Sequence, residues 1–157
     1  MVDESTYTIA YLHNTQSQIT PATASISAPA TSVIYNGQTQ SQGAAVLSGF
    51  VAGDDVQAMG LASGRNAGSY TSSLSATGAD VGNYTITYNN AALTIDKRPA
   101  SLSALGQTVV YNGQTQSLTG TPPSVFVDGD ALTLGGLPSG RNVGQYTSTL
   151  TVSGADA

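Results

Sequence analysis

The segment Val33-Ile-Tyr-Asn-Gly-Gln-Thr-Gln-Ser41 recurs almost unchanged as Val109-Val-Tyr-Asn-Gly-Gln-Thr-Gln-Ser117. A second block, Ser63-Gly-Arg-Asn-Ala-Gly-Ser-Tyr-Thr-Ser72, recurs as Ser139-Gly-Arg-Asn-Val-Gly-Gln-Tyr-Thr-Ser148. Both blocks recur at one offset, which carries Tyr35 to Tyr111 and Tyr70 to Tyr146. Residues 31–80 lie on 107–156 without a gap, and 27 of the 50 positions are identical. A fixed period of this length decides architecture before any local reading, because each copy is one structural unit that leans on its neighbours. It also directs the functional question. Arrays supply reach, stiffness or multivalency rather than one catalytic centre.

The period divides the chain. Tyr7-Thr-Ile-Ala-Tyr11 is similar to Tyr84-Thr-Ile-Thr-Tyr88, so residues 1–20 read as the tail of a preceding repeat. Residues 21–96 form a complete repeat. Residues 97–157 read as a following repeat that lacks its closing hairpin, since the counterpart of Tyr84 would fall beyond Ala157. The joint, Ile95-Asp-Lys-Arg-Pro-Ala-Ser101, lacks glycine, and Pro99 holds Arg98 extended. An elongated, stiff pair of units is therefore expected. Tyr7–Ile19 resembles the missing hairpin, so a second molecule could supply it head to tail by strand addition.

Helix patterns are nearly absent and glycine recurs too often for long helices. Strand patterns run throughout. Tyr84, Ile86 and Tyr88 share one face, Leu93 and Ile95 alternate again, and Asn89-Asn90-Ala91 reads as the turn of a hairpin. Strands are expected near 24–28, 31–35, 39–48, 56–61, 69–76, 83–88 and 92–96. Asn36-Gly37 and Asn112-Gly113 read as type I′ turns, in which both residues take positive φ. Short alternating strands with turns every 8–12 residues indicate an all-β fold of tandem Ig-like sandwiches. A parallel β-helix would need a sub-period of 20–30 residues, and there is none.

Composition excludes several functions. The net charge is −5 and only Lys97, Arg65, Arg98 and Arg141 are basic, so no surface exists for nucleic acid or acidic lipid. No apolar run approaches the ~18 residues of a membrane span. Cysteine is absent, which rules out disulfides and thiolate chemistry. Charged residues make up 8 % of a hydroxyl-rich chain, a balance that leans toward an exported protein.

Few residues suggest chemistry. Asp128-Gly129-Asp130 is the best metal candidate, yet the first copy reads Ala52-Gly53-Asp54, so one carboxylate is missing there, and no cofactor is expected. The charges shared by both copies are Asp54/Asp130, Arg65/Arg141 and Asp80/Asp156. The arginines read as clips between loops rather than ligand sites. Tyr35, Tyr70, Tyr84, Tyr111 and Tyr146 read as core or edge of core, and Tyr11 and Tyr88 as surface. With Asn36, Gly37, Asn112 and Gly113 they form the structural set. His13 is the only histidine and has no copy downstream, and Asp54-Asp55 face opposite sides of a strand, so catalysis is not indicated. Asn83-Tyr84-Thr85 fits an N-glycosylation triplet.

The Tyr-Asn-Gly turn, the Gly-x-Tyr strand start and the closing Gly-Asn-Tyr-Thr-Ile-Thr-Tyr-x-x-x-x-Leu-Thr-Ile resemble the glycine-rich, mostly-β MBG/YDG repeats. Those repeats occur in large bacterial surface adhesins of the filamentous-haemagglutinin kind. The resemblance covers nearly the whole chain. It implies export to the cell surface and a non-catalytic stalk that supports attachment or biofilm formation. The alternative is a carbohydrate-binding module using the variable loops 42–47 and 118–123. Expected partners are neighbouring repeats, other copies head to tail, or extracellular polysaccharide.

Overall fold

The computed structural model describes residues 8–117 and 126–154. Apart from one 3-10 turn at Val81–Asn83, the described elements are all strands. In chain order they are β1 (Ala22–Ser27), β2 (Thr31–Ile34), β3 (Gln40–Ser41), β4 (Val46–Ser48), β5 (Gln57–Met59), β6 (Ser63–Gly64), β7 (Gly68–Thr71) and β8 (Ser75–Thr77). There follow β9 (Tyr84–Asn89), β10 (Ala92–Asp96), β11 (Gln116–Ser117), β12 (Leu132–Gly135), β13 (Ser139–Gly140) and β14 (Thr151–Gly154). No described helix is long and apolar enough to cross a membrane.

Two three-stranded sheets organise the first repeat, in the orders β4-β1-β9 and β2-β10-β7. β1 runs parallel to β9, from Ala22↔Tyr84 to Ser27↔Asn89. β2 runs parallel to β10, from Thr31↔Leu93 to Ile34↔Asp96. The sequence offset is the same in both ladders, so one segment accompanies the other through both sheets. β4 and β7 flank the pairs in antiparallel orientation. The smaller sheets β3-β6 and β5-β8 complete the repeat.

This topology corrects the expected closing hairpin. β9 and β10 do not pair with each other; they belong to different sheets, and Asn90-Ala91 is the crossing between them. The alternation of apolar residues specifies a strand's face and not its neighbour. The expected strands at 39–48 and 69–76 are each broken in two, as β3 with β4 and β7 with β8.

The core follows the alternation. Ala24 and Ile26 of β1, Leu93 and Ile95 of β10, Tyr84, Leu74 and Ala62 are buried. Leu93, Ile95 and Ala62 form one cluster, against which Val33, Tyr35 and Tyr70 pack. Leu93 is fully buried and lies opposite Tyr70, while Ile95 lies opposite Val33. Burying a Leu or Ile side chain contributes about 1.5–3 kcal/mol, so β10 holds two of the strongest anchors of the repeat.

The second repeat keeps half of this plan. β11-β13 and β12-β14 stand one period after β3-β6 and β5-β8 of the first. Residues 98–103, 107–110 and 144–147 are the counterparts of β1, β2 and β7, and none forms a strand. In the first repeat those strands pair with β9 or β10.

Candidate functional site

The two recurring sequence blocks meet in space. Gly37 takes φ of 78° and Gly113 of 76°, but no described residue other than glycine has positive φ. This corrects the type I′ reading, which requires positive φ at Asn36 and Asn112 as well. Each asparagine instead accepts a backbone N–H through its side chain, from Gln38 at 2.9 Å and from Gln114 at 2.9 Å. The turns are Asx turns closed by a glycine. Nor do they join a hairpin, since β2 pairs with β10 and β3 with β6.

Arg65 Nε donates to the Gly37 carbonyl at 2.9 Å, and Arg141 Nε to that of Gly113 at 3.0 Å. The arginine of one block thus fastens the turn of the other. The Gly-Arg-Asn-x-Gly-x-Tyr spacing has a steric cause. A Cβ on Gly64 would lie 2.3 Å from the Tyr70 ring, and one on Gly140 2.1 Å from the Tyr146 ring. Each ring lies over the glycine, and its hydroxyl donates to the carbonyl of Asn66 or Asn142, at 3.0 and 2.9 Å.

The Tyr-Asn-Gly turn of the first repeat also touches the second. The Tyr35 hydroxyl donates to Asp130 Oδ1 at 2.5 Å. A Cβ on Gly37 would approach Val127 Cγ1 to 2.5 Å, so Gly37 is buried against the turn Val127–Asp130. Asp130 is thus engaged by a tyrosine, and no three His, Cys, Asp or Glu side chains are grouped for a metal among the described residues. Asp128 is exposed on the same turn.

In the first repeat the equivalent aspartate, Asp54, accepts the Tyr84 hydroxyl, which itself accepts the Val51 N–H at 2.9 Å. The Tyr84 phenol is held above its ordinary value, chiefly by its bond to the Asp54 carboxylate. The Phe50 ring rests on Tyr84 at 4.8 Å between centroids. Neighbouring Asp55 faces the other way, accepting the Ala79 N–H at 3.1 Å, while Asp80 accepts the Asp55 N–H at 2.8 Å. These carboxylates close turns.

Where the first repeat holds β10 between β2 and β7, the second has a groove of about 610 Å³. Thr108, Val109, Tyr111, Gly144, Tyr146 and Thr147 are among the residues that line it. The expectation that Tyr111 and Tyr146 belong to the core is corrected here. They are 57 % and 46 % exposed, whereas Tyr35 and Tyr70 are half-buried. In the first repeat Leu93 of β10 lies opposite Tyr70, and no described strand takes that place beside Tyr146.

Residues 24–94 match the family model described as the MBG domain, YGX type. That segment is an MBG domain. Its limits fall in β1 and β10, the first and last strands of the two parallel ladders. The match does not extend into residues 97–157; the internal recurrence carries the likeness there. No curated protein and no solved structure gives a significant match to the chain.

Two buried polar residues of the MBG domain escape sequence reasoning. Gln42 Nε2 donates to the carbonyls of Pro29 and Ala91, at 2.9 and 3.1 Å, and its Oε1 accepts the Ala62 N–H. It bridges the two points at which the chain crosses between sheets. Ser72 accepts the Ala91 N–H at 2.9 Å, and Asn90 Oδ1 accepts that of Leu74 at 2.8 Å. Only the recurrence of Ser72 as Ser148 hinted at this role; Gln42 faces a leucine in the second copy. The presumed loop 42–47 is thus part framework, with Gln42 buried and Val46-Leu47 in β4, while 118–123 lies outside the described residues. His13, Tyr11 and Tyr88 are exposed, and Asn83 ends the 3-10 turn.

Proposed function

We propose that this chain is a stretch of a tandem array of Ig-like MBG repeats forming the non-catalytic stalk of a secreted or cell-surface bacterial adhesin. The units are residues 1–20, 21–96 and 97–157, strung into an elongated rod that supports attachment or biofilm formation. The observation that carries this reading is the recurrence, one period on, of the same turns, clips and small sheets beside the MBG domain. The titratable groups near them close turns and joints, as Asp54, Asp55, Asp80 and Asp130 do. The Tyr35–Asp130 and Gly37–Val127 contacts supply a joint that resists bending.

Two measurements test it. Small-angle scattering of the full chain gives a narrow distribution of inter-unit distances for a rod and a broad one for a flexible string. A glycan array returns no specific binding for a stalk. Specific binding to an extracellular polysaccharide would favour the carbohydrate-binding alternative, although Gln42 is committed to the framework.

Residues 8–20 extend the proposal to self-association. They form no strand and expose Ile9, Tyr11, Leu12 and Ile19. Their likeness to β9 and its sequel suits them to the vacant strand positions of the second repeat in another molecule, head to tail. Sedimentation equilibrium at rising concentration should show open-ended oligomers that deletion of residues 2–20 abolishes. A parent that stays monomeric at millimolar concentration refutes the self-association while leaving the stalk reading intact.

A further inference from the structure

We infer that the MBG domain is a shear clamp, built to bear tension between its two ends. The inference rests on strand topology alone and is independent of what the array is attached to.

Tension enters the domain at the start of β1 and leaves it at the end of β10. β1 and β2 run in the same direction as β9 and β10, with a constant register. Pulling the ends apart therefore drags residues 22–34 backward and residues 84–96 forward along their common axis. The load lies along the strands and across the ladder bonds. Six register pairs in one sheet and four in the other meet it together. Had the end strands been antiparallel neighbours entering and leaving at the same edge, the same bonds would open one after another.

Further contacts extend the clamp. Ala28 N–H donates to the Asn89 carbonyl at 3.0 Å, and Tyr35 N–H to that of Asp96 at 2.9 Å. Asn89 Nδ2 donates to Ser27 Oγ at 3.0 Å, and Ser32 Oγ to Asp96 Oδ2 at 2.9 Å. Gln42 binds both crossings, so β1–β9 and β2–β10 cannot slide independently. Ile26, Leu93 and Ile95, the largest fully buried side chains, all sit on the clamped strands, and sliding by one residue would turn each to the opposite face.

Single-molecule force spectroscopy on the full chain tests this. The cysteine-free sequence allows handles to be placed at will. With handles at the two termini, one dominant event should lengthen the chain by roughly 22 nm, the extended length of Ala22 to Asp96 less the folded span. A second molecule carries Thr23→Cys and Thr85→Cys, which are register partners at the start of the β1–β9 ladder. Pulling there peels the ladder bond by bond. At equal pulling speed the terminal geometry should require at least twice the force of the peeling geometry. Forced unfolding reports the barrier and not equilibrium stability, so both molecules must also show the parent's melting temperature. Ser25→Cys with Thr87→Cys is a second peeling pair, used if Thr85→Cys alters folding. Equal forces in the two geometries, or a lower force from the termini, would overturn the inference.

Discussion

Gly37→Ala is the sharpest probe of how the two repeats are joined. Two separate costs follow from the geometry. At φ of 78° an alanine is strained by about 1–2 kcal/mol wherever it points. Its Cβ would also lie 2.5 Å from Val127 Cγ1, against an ordinary carbon–carbon separation of about 3.5–4.0 Å. Val127 must retreat by roughly 1 Å, carrying the Val127–Asp130 turn and stretching the Tyr35–Asp130 bond. The clash cannot cost more than the joint itself, because separation of the two turns relieves it. A half-buried bond to a carboxylate and a modest apolar contact together contribute about 1–2 kcal/mol. Gly37→Ala should therefore cost about 2–4 kcal/mol in all, half of it steric. Urea unfolding followed by circular dichroism gives the total. A double-mutant cycle with Val127→Ala isolates the steric half, since that variant removes the colliding methyl. Gly113→Ala, at φ of 76° with nothing near its would-be Cβ, should show the strain alone. Purely additive Gly37→Ala and Val127→Ala effects would refute the proposed joint.

Other outcomes follow from single contacts. Gln42→Ala leaves the buried Ala62 N–H without its acceptor and takes one donor each from the Pro29 and Ala91 carbonyls, which keep bonds from Thr31 and Ser72, and should destabilise the MBG domain by about 2 kcal/mol in urea unfolding. Because the folded-state Tyr84 value is raised, its contribution is fully present below the ordinary phenol range near pH 10 and fades as pH rises through the folded value. The melting-temperature gap between the parent and Tyr84→Phe should accordingly narrow above pH 10. Millimolar calcium should move the melting temperature by less than about 2 °C, since Asp130 is held by Tyr35 and no three His, Cys, Asp or Glu side chains are grouped for a metal among the described residues. A larger rise that is reversed by chelator and absent in Asp130→Ala would point to a metal site.

Strand positions were legible because Leu93/Ile95 and Tyr84/Ile86 carry a period of two that few other structures satisfy. Glycine and tyrosine spacing was legible because both copies preserved it, and the structure shows Gly64 making room for Tyr70. Pairing was not legible. A strand with one apolar face fits an antiparallel hairpin and a parallel ladder equally well, so β9 and β10 could be located but not assigned to separate sheets. Asn36-Gly37 misled because the asparagine can close the turn with its side chain and leave positive φ to glycine. Gln42 was invisible because a lone glutamine in a variable block looks like surface. The Tyr35–Asp130 contact spans 95 residues, and nothing in either local sequence names the other.

The shared direction of the first and last segments has a consequence for length. Entry and exit lie at opposite ends of a segment about 13 residues long, which spans at most about 43 Å at the rise of a strand. Each added copy would extend the reach by one such increment. Copies that align without a gap, with 27 of 50 positions identical, allow recombination to remove or insert whole periods. The distance spanned could then change in steps of one repeat across generations, with no new interface to evolve.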